Sequence, residues 1–326
     1  RDEALLRLDP AGSLFLGCVI SPPTGVRLRE RGALIFPALP DVPFDAYRSH
    51  LYTPEELYAG LEDGYDHTLD ARIYAWSRGV SGSTSIRDTL GQALHDNAID
   101  DALVEFVRTR RVVGVMGGHA LGRNETAYAD AARLAHRLAG LGLTVATGGG
   151  PGAMEAANLG ARLGDEPVAA LERALAKAAT VPTFRPSVTA WARAAFEAVD
   201  GLGGSGRSLG IPTWFYGHEP PNPFCVRVAK YFKNAIREDV LLHVCRSGIV
   251  FLPGAAGTVQ EVFQSACENY YAEPGAIAPM VLYDTAYWTS QLPAWPLLET
   301  MARDRAMAGS LHLVDDLDDV VALLTR

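Results

Sequence analysis

Cysteine is scarce in this sequence, and its few cysteines lie far apart. The chain has four cysteines among 326 residues, and none belongs to a CxxC pair. They stand at Cys18, Cys225, Cys245 and Cys267. Small disulfide scaffolds need dense cysteines, so we predict reduced, incidental thiols and a cytoplasmic protein.

The sequence also lacks a long apolar run and an excess of basic residues. No stretch of about 18 apolar residues is present, which predicts no transmembrane helix and no membrane partner. The first residues, RDEALLRLDP, do not resemble a signal peptide. The net charge of −9 argues against a nucleic-acid polymer as partner, whereas a small phosphorylated ligand needs only a local site.

Short apolar runs alternate with helical patterns from about residue 110 onwards. Apolar residues at helical spacing predict helices between the runs, among them one over residues 224–245. Because the runs are continuously apolar, they predict an α/β fold with a doubly wound, mostly parallel Rossmann-like sheet and helices on both faces. The predicted strands lie at residues 112–116, 143–147, 209–216, 248–252, 279–284 and 311–316.

Residues 1–100 show a different pattern, with frequent proline and glycine and no chemical motif. We predict a smaller accessory or oligomerisation region there, with a linker at residues 77–85, and a Rossmann-like domain over residues 101–326. A chain that begins near Asp101 is therefore expected to keep its chemistry.

Glycine-rich loops follow three of the predicted strands. In a doubly wound sheet, ligands bind beyond the carboxyl ends of the strands, where the winding reverses. With a strand order of 3-2-1-4-5-6, the loops after residues 112–116 and 248–252 flank that crevice. Backbone amides at a helix N-terminus bind anions, and small residues let a phosphate approach them. The candidate binding residues are Gly117, Gly118, His119, Gly149, Gly150, Gly152, Gly254, Ala255, Ala256, Gly257 and Thr258. For His119, a ligand contact and a hydrogen bond within the loop are both open.

Other uses of glycine-rich loops fit less well. Residues 148–153 match GxGxxA, but they follow the second strand of the pattern, and no suitable acidic residue follows about 20 residues later. The sequence contains no GxxxxGK[ST] motif and no HExxH spacing. We therefore predict no cofactor and no metal site.

Two glutamates, Glu155 and Glu261, come just inside two of the predicted helices. A carboxylate beside a phosphate site is repelled by the anion, so we expect another role for it. Cleavage of a glycosidic bond supplies one, because carboxylates stabilise an oxocarbenium-like transition state or activate water. Alternatively, each glutamate only complements the dipole of its helix.

At this point the motifs resemble a known family. The segment PGAAGTVQE resembles the PGGxGTxxE signature of LOG-type proteins, the cytokinin-activating phosphoribohydrolases once described as lysine decarboxylases. Together with GGHALGRNETAYADA, TGGGPGAME and EPPNP, it is most similar to the bacterial nucleotide 5′-monophosphate nucleosidase branch. The resemblance covers residues 110–326, with the four motifs in the order of the family.

The resemblance implies hydrolysis of a nucleoside 5′-monophosphate to free base and ribose 5-phosphate, by a homodimer or higher homo-oligomer. It places the 5′-phosphate on the loop that ends at Thr258 and Glu261 at the ribose, with Glu155 as a second carboxylate. It also implies an arginine on the preceding helix, for which Arg237 and Lys233 are the alternatives. The second glycine of PGG is Ala255 here, which puts the shape of the phosphate loop in question.

The EPPNP segment and the rival functions complete the expectations from the sequence. Asn222, between two prolines, is expected to present its amide to the base or ribose, whereas His218 is expected to be structural. The rival function is a catalytically silent nucleotide-binding or sensing protein of the same fold. Amino-acid decarboxylation is disfavoured because no lysine has the surroundings of a pyridoxal phosphate site.

Overall fold

The computed structural model describes residues 2–80, 85–215 and 219–325. Part of the predicted linker at 77–85, the last residue of the predicted strand at 209–216, and His218 lie outside these ranges. Within them, no helix is both long enough and apolar enough to cross a membrane.

The strands form one large sheet and one small sheet. A pair of short parallel strands near the N-terminus, β1 (Leu14–Leu16) and β2 (Leu34–Phe36), forms the small one. The large sheet contains β3 (Val112–Met116), β4 (Thr144–Thr147), β5 (Ser208–Gly210), β6 (Arg227–Val228), β7 (Ile249–Phe251), β8 (Met280–Tyr283) and β9 (Leu311–Val314). Its order is β6-β5-β4-β3-β7-β8-β9, and every neighbouring pair is parallel.

Helices connect the strands and flank the sheet. The α-helices are α1 (Asp2–Leu5), α2 (Pro22–Glu30), α3 (Pro54–Leu57), α4 (Leu69–Gly79), α5 (Ile86–Val107), α6 (Thr126–Gly140), α7 (Ala153–Arg162), α8 (Val168–Ala178), α9 (Val188–Ala198), α10 (Asn234–Val244), α11 (Ala256–Tyr271), α12 (Trp295–Ala302) and α13 (Leu317–Leu324). Short 3₁₀ turns lie at Leu61–Asp63, Tyr65–His67, Pro274–Ala276 and Ala306–Ser310, and a π-helical turn lies at Tyr287–Gln291.

The predicted fold class is confirmed. Without the edge strand β6, the order reads 3-2-1-4-5-6, so the winding reverses between β3 and β7. Alternate residues of β3 enter separate hydrophobic clusters: Val112 and Met116 pack in one, and Val113 and Val115 in the other. Helices therefore cover both faces of the sheet, which explains why the strands are continuously apolar.

The predicted helix over residues 224–245 is wrong in its first half. Residues 227–228 form β6, whose Val228 pairs with Gly210 of β5 and forms an antiparallel bridge with Tyr52. The α-helix α10 begins only at Asn234. Phe224, Cys225 and Ala229 before it are buried although their backbone is not helical, and the two strand pairings override the local helical spacing.

The N-terminal region shares a hydrophobic core with the large sheet. Its buried residues Tyr52, Ile73 and Ile99 belong to the same cluster as Val112 of β3 and Phe251 of β7. In addition, α5 runs through the predicted boundary between residues 100 and 101. Residues 44–107 are therefore packed against the sheet that carries the candidate site.

Candidate active site

A cavity of about 370 Å³ lies at the carboxyl ends of the central strands. Its volume is within the usual range for small-molecule sites, about 300–1,000 Å³. The cavity is lined by His119, Gly148, Gly150, Met154, Pro212, Thr213, Glu219, Arg237, Glu238, Ala256, Gly257, Thr258, Gln260 and Glu261. The loops after β3, β4 and β7 thus meet where the winding of the sheet reverses.

Close backbone contacts join the three glycine-rich loops. The Gly118 amide donates to Pro253 O at 3.1 Å, and the Ala153 amide donates to Gly118 O at 3.0 Å. A Cβ on Gly152, which has a φ of +76°, would lie 2.5 Å from Gly118 O, and a Cβ on Gly254 would lie 2.2 Å from Thr258 Oγ1. These two glycines are required because the loops leave no space for a side chain.

The beginning of α11 presents unpartnered amides to the cavity. Ala255 stands at the N-cap and provides no side-chain acceptor. In the described part of the chain, the amides of Ala256, Gly257 and Thr258 donate to no protein group, and the first amide with a partner is that of Val259. The φ of Ala255 is −85°, so its side chain causes no backbone strain at the second glycine position of the PGGxGTxxE signature.

Arg237 and Glu261 face each other across the cavity. Arg237 Nη1 lies 4.0 Å from Glu261 Oε1, while Nη2 donates to Asn234 Oδ1 at 2.8 Å and to Glu238 Oε1 at 3.2 Å. Among the described residues, no acceptor contacts the buried Nε of Arg237. Lys233 is exposed at the N-cap of α10 and does not line the cavity. Of the two alternatives, Arg237 is therefore the one that the fold brings to the site.

Burial raises the pKa of Glu261 to about 7. Arg237 opposes this shift by favouring the carboxylate, and the nearby charge of Glu238 adds to it. A carboxyl group with a pKa near neutrality can accept and return a proton at working pH, which is the property of a general acid–base catalyst.

Sequence reasoning missed Glu238 and Gln260, which complete this wall of the cavity. Glu238 is buried, and its Oε1 accepts from Asn234 Nδ2 at 3.0 Å as well as from Arg237. Its Oε2 accepts from Gln260 Nε2 of α11. The spacing of Asn234 and Glu238 along one helix face was a usable signal, but their link to α11 has no signature in the local sequence.

Glu155 does not reach the cavity, contrary to prediction. It is 1% exposed, and its Oε1 accepts from Nε of Arg123 at 2.9 Å and also from Nη2. Arg123 in turn donates to the carbonyl oxygens of Val181 and Trp191 at 3.3 and 3.1 Å. A buried guanidinium requires a carboxylate partner, and Glu155 supplies it beneath the loops.

Asn222 also differs from its predicted role. It is fully buried, with Nδ2 donating to Gly150 O at 3.0 Å and to Asn158 Oδ1 at 2.9 Å. Its Oδ1 accepts from the Phe224 amide at 3.1 Å. The amide therefore fixes the loop after β4 and does not face the cavity.

The remaining predicted residues divide into two groups. His119 lines the cavity, with Nδ1 3.7 Å from Glu219 Oε1, and so do Gly150, Ala256, Gly257 and Thr258. The others shape the loops around it and do not line it: Gly117, Gly118, Gly149, Gly152, Gly254 and Ala255.

Comparison with known proteins adds little to this geometry. No protein-family model matches the chain, and no curated protein matches it. Among solved structures, it is similar to the molybdenum cofactor binding protein from the phototrophic bacterium Rippkaea orientalis. The two are 16% identical with a TM-score of 0.39, and the match covers 66% of this chain and 95% of that chain.

Proposed function

We propose that this chain hydrolyses the N-glycosidic bond of a nucleoside 5′-monophosphate, releasing free base and ribose 5-phosphate. The observation that carries the proposal is the meeting of Arg237, Glu261 and the unpartnered amides of residues 256–258 in one cavity. These residues also carry the resemblance to the LOG-type family, so the spatial arrangement and the sequence pattern support the same function.

The 5′-phosphate binds at the beginning of α11 in this proposal. Free N–H groups and the helix dipole stabilise an anion there. Nothing lies within 4 Å of the position that a Cβ on Gly257 would take, so a phosphate oxygen has space to approach this backbone. The hydroxyl of Thr258 adds a further donor at the same end of the cavity.

Glu261 lies one helical turn further along α11, on the side of the sugar. As the C1′–N bond breaks, its carboxylate stabilises the oxocarbenium-like charge. A water oxygen then bonds to C1′, and a water proton passes to Glu261, which returns it to the nitrogen of the departing base. Arg237 keeps part of the Glu261 population ionised, which the first of these steps requires.

Release of base from a panel of nucleoside 5′-monophosphates, followed by chromatography, tests this function. The matching nucleosides without phosphate are the control, and we expect release only from the monophosphates. Binding of a monophosphate without release of base would favour the silent nucleotide-binding alternative. If the chain neither binds a monophosphate nor releases base from one, both functions are refuted.

A homodimer or higher homo-oligomer in the cytoplasm is part of the same proposal, because the resemblance implies it. Light scattering on the purified chain measures the oligomeric state directly. A monomer at all concentrations would contradict it.

A further inference from the structure

The segment that precedes α10 is held by the N-terminal region. Backbone hydrogen bonds of 3.0 and 2.9 Å join Tyr52 to Val228 in both directions. Lys230 Nζ donates to Asp70 Oδ1 at 2.6 Å, with both side chains buried. These contacts lie a few residues before Arg237, which belongs to the first turn of α10.

Asp96 of α5 makes the contact nearest to the helix. Its Oδ1 accepts from the Phe232 amide and its Oδ2 from the Lys233 amide, both at 3.0 Å. The side chain of the N-cap residue, Lys233, makes no capping hydrogen bond to α10. A carboxylate from a distant part of the chain therefore supplies the acceptors and the negative charge that a helix N-terminus favours.

A buried network fixes Asp96 in turn. His95 Nδ1 lies 3.1 Å from Asp96 Oδ1, and His95 Nε2 lies 2.8 Å from the Tyr52 hydroxyl. Asp96 is 2% exposed. Its two acceptor bonds are thus largely shielded from water, so their loss leaves the buried Phe232 amide and the part-buried Lys233 amide without these partners.

The position of the Arg237 guanidinium depends on where α10 begins. Its Nη2 donates to Asn234 Oδ1, on the first residue of the helix, and this contact leaves Nη1 directed at Glu261. A shift of the helix start therefore changes the distance between the guanidinium and the carboxylate. Misplacement of a catalytic group by about 1 Å can lower a rate by about 10².

We propose that Asp96 is a positioning residue for Arg237, and that the N-terminal region is thereby required for a well-formed active site. This inference rests on the proposed function for its kinetic part. Its structural part, the fixing of the start of α10, stands on the hydrogen bonds alone.

The test compares Asp96→Asn with a matched control, Asp100→Asn. Asp100 lies on the same helix and accepts from the hydroxyl of Tyr231 at 2.7 Å, but it contacts no amide at the start of α10. We expect Asp96→Asn to lower kcat by about 10-fold or more with KM within about threefold. We expect Asp100→Asn to change kcat by less than about threefold.

All variants are assayed at one temperature at which each is fully folded, so that lost stability does not enter kcat. Asp96→Glu, which keeps the charge and displaces the oxygens, serves if the Asn variant does not fold.

A double-mutant cycle separates positioning from general destabilisation. In an Arg237→Gln background, Asp96→Asn should lower kcat by less than about twofold further. Equal losses in Asp96→Asn and Asp100→Asn, or full additivity with Arg237→Gln, would overturn the inference.

Hydrogen exchange tests the structural part without any activity. Amides of residues 232–238 should exchange faster in Asp96→Asn than in wild type and Asp100→Asn. Unchanged exchange there would overturn the inference. If wild type releases no base from any monophosphate, the proposed function fails, and the exchange experiment still decides whether Asp96 fixes α10.

Discussion

Replacing Glu261 with glutamine tests the proposed chemistry most directly. The variant keeps the size of the side chain and its capacity for hydrogen bonding but loses the negative charge and the ionisable proton. We expect kcat to fall by about 10²-fold or more, the lower end of general acid–base contributions. Affinity for ribose 5-phosphate should change little, because the amides of residues 256–258 are untouched. In wild type, kcat should rise with pH through the pKa of about 7, and the variant should lack this titration.

The same variant should be more stable than wild type in alkaline solution. Burial raises the pKa of Glu261 from 4.5 to about 7, so between these values the folded chain binds more protons than the unfolded chain. The free energy of unfolding therefore falls as pH rises through that window. At about 1.4 kcal/mol per pKa unit, the full loss is about 3 kcal/mol. Glutamine does not titrate, so the variant does not lose this stability. Its melting temperature should exceed that of wild type at pH 8 and nearly equal it below about pH 4.5.

Base release and thermal unfolding, each measured across this pH range, check both expectations. Glu299→Gln is the matched control, because Glu299 is exposed on α12 and does not line the cavity. A Glu261→Gln variant with near wild-type turnover and no pH-dependent gain in stability would refute the reasoning. The glutamate would then only complement its helix.

Three other substitutions have distinct expected outcomes. Arg237→Gln should lower kcat and move its pH titration above about 7, because the cation that favours ionised Glu261 is gone; a pH–rate profile shows this. Gly254→Ala should raise the dissociation constant of ribose 5-phosphate, measured calorimetrically, because its Cβ would lie 2.2 Å from Thr258 Oγ1. Glu155→Gln should cost about 3–5 kcal/mol in chemical unfolding because it breaks a buried ion pair, and loss of turnover without loss of stability would contradict that role.

Sequence reasoning succeeded where the signal was local. Continuous apolar strands and glycine-rich turns predicted the sheet and the crevice, and the spacing from Thr258 predicted Glu261 at the cavity wall. It failed where a distant partner decides orientation. Glu155 lies in the first turn of α7, but Arg123 is buried next to it and pairs with its carboxylate. The side-chain amide of Asn222 likewise donates to Gly150 O and does not face the cavity.

The contribution of the N-terminal region could not be predicted for the same reason. Asp96 is an ordinary acidic residue on a helix, and its importance comes from two amides more than 130 residues further along the chain. The expectation that a chain beginning near Asp101 keeps its chemistry stays a prediction, and the contacts of Asp70 and Asp96 with residues 230–233 argue against it.

The core shared by the N-terminal region and the large sheet limits how this protein can be recombined. A crossover between residues 100 and 101 would cut through α5 and separate Ile99 and Leu103, which pack in one cluster with Val112 and Met116. A chimera that takes the glycine-rich loops from this chain and the first hundred residues from another protein would have to match the side-chain volumes on both sides of that cut, because interiors are close-packed. Module exchange is therefore better placed between residues 36 and 44, before the first aromatic residue of this cluster, Phe44.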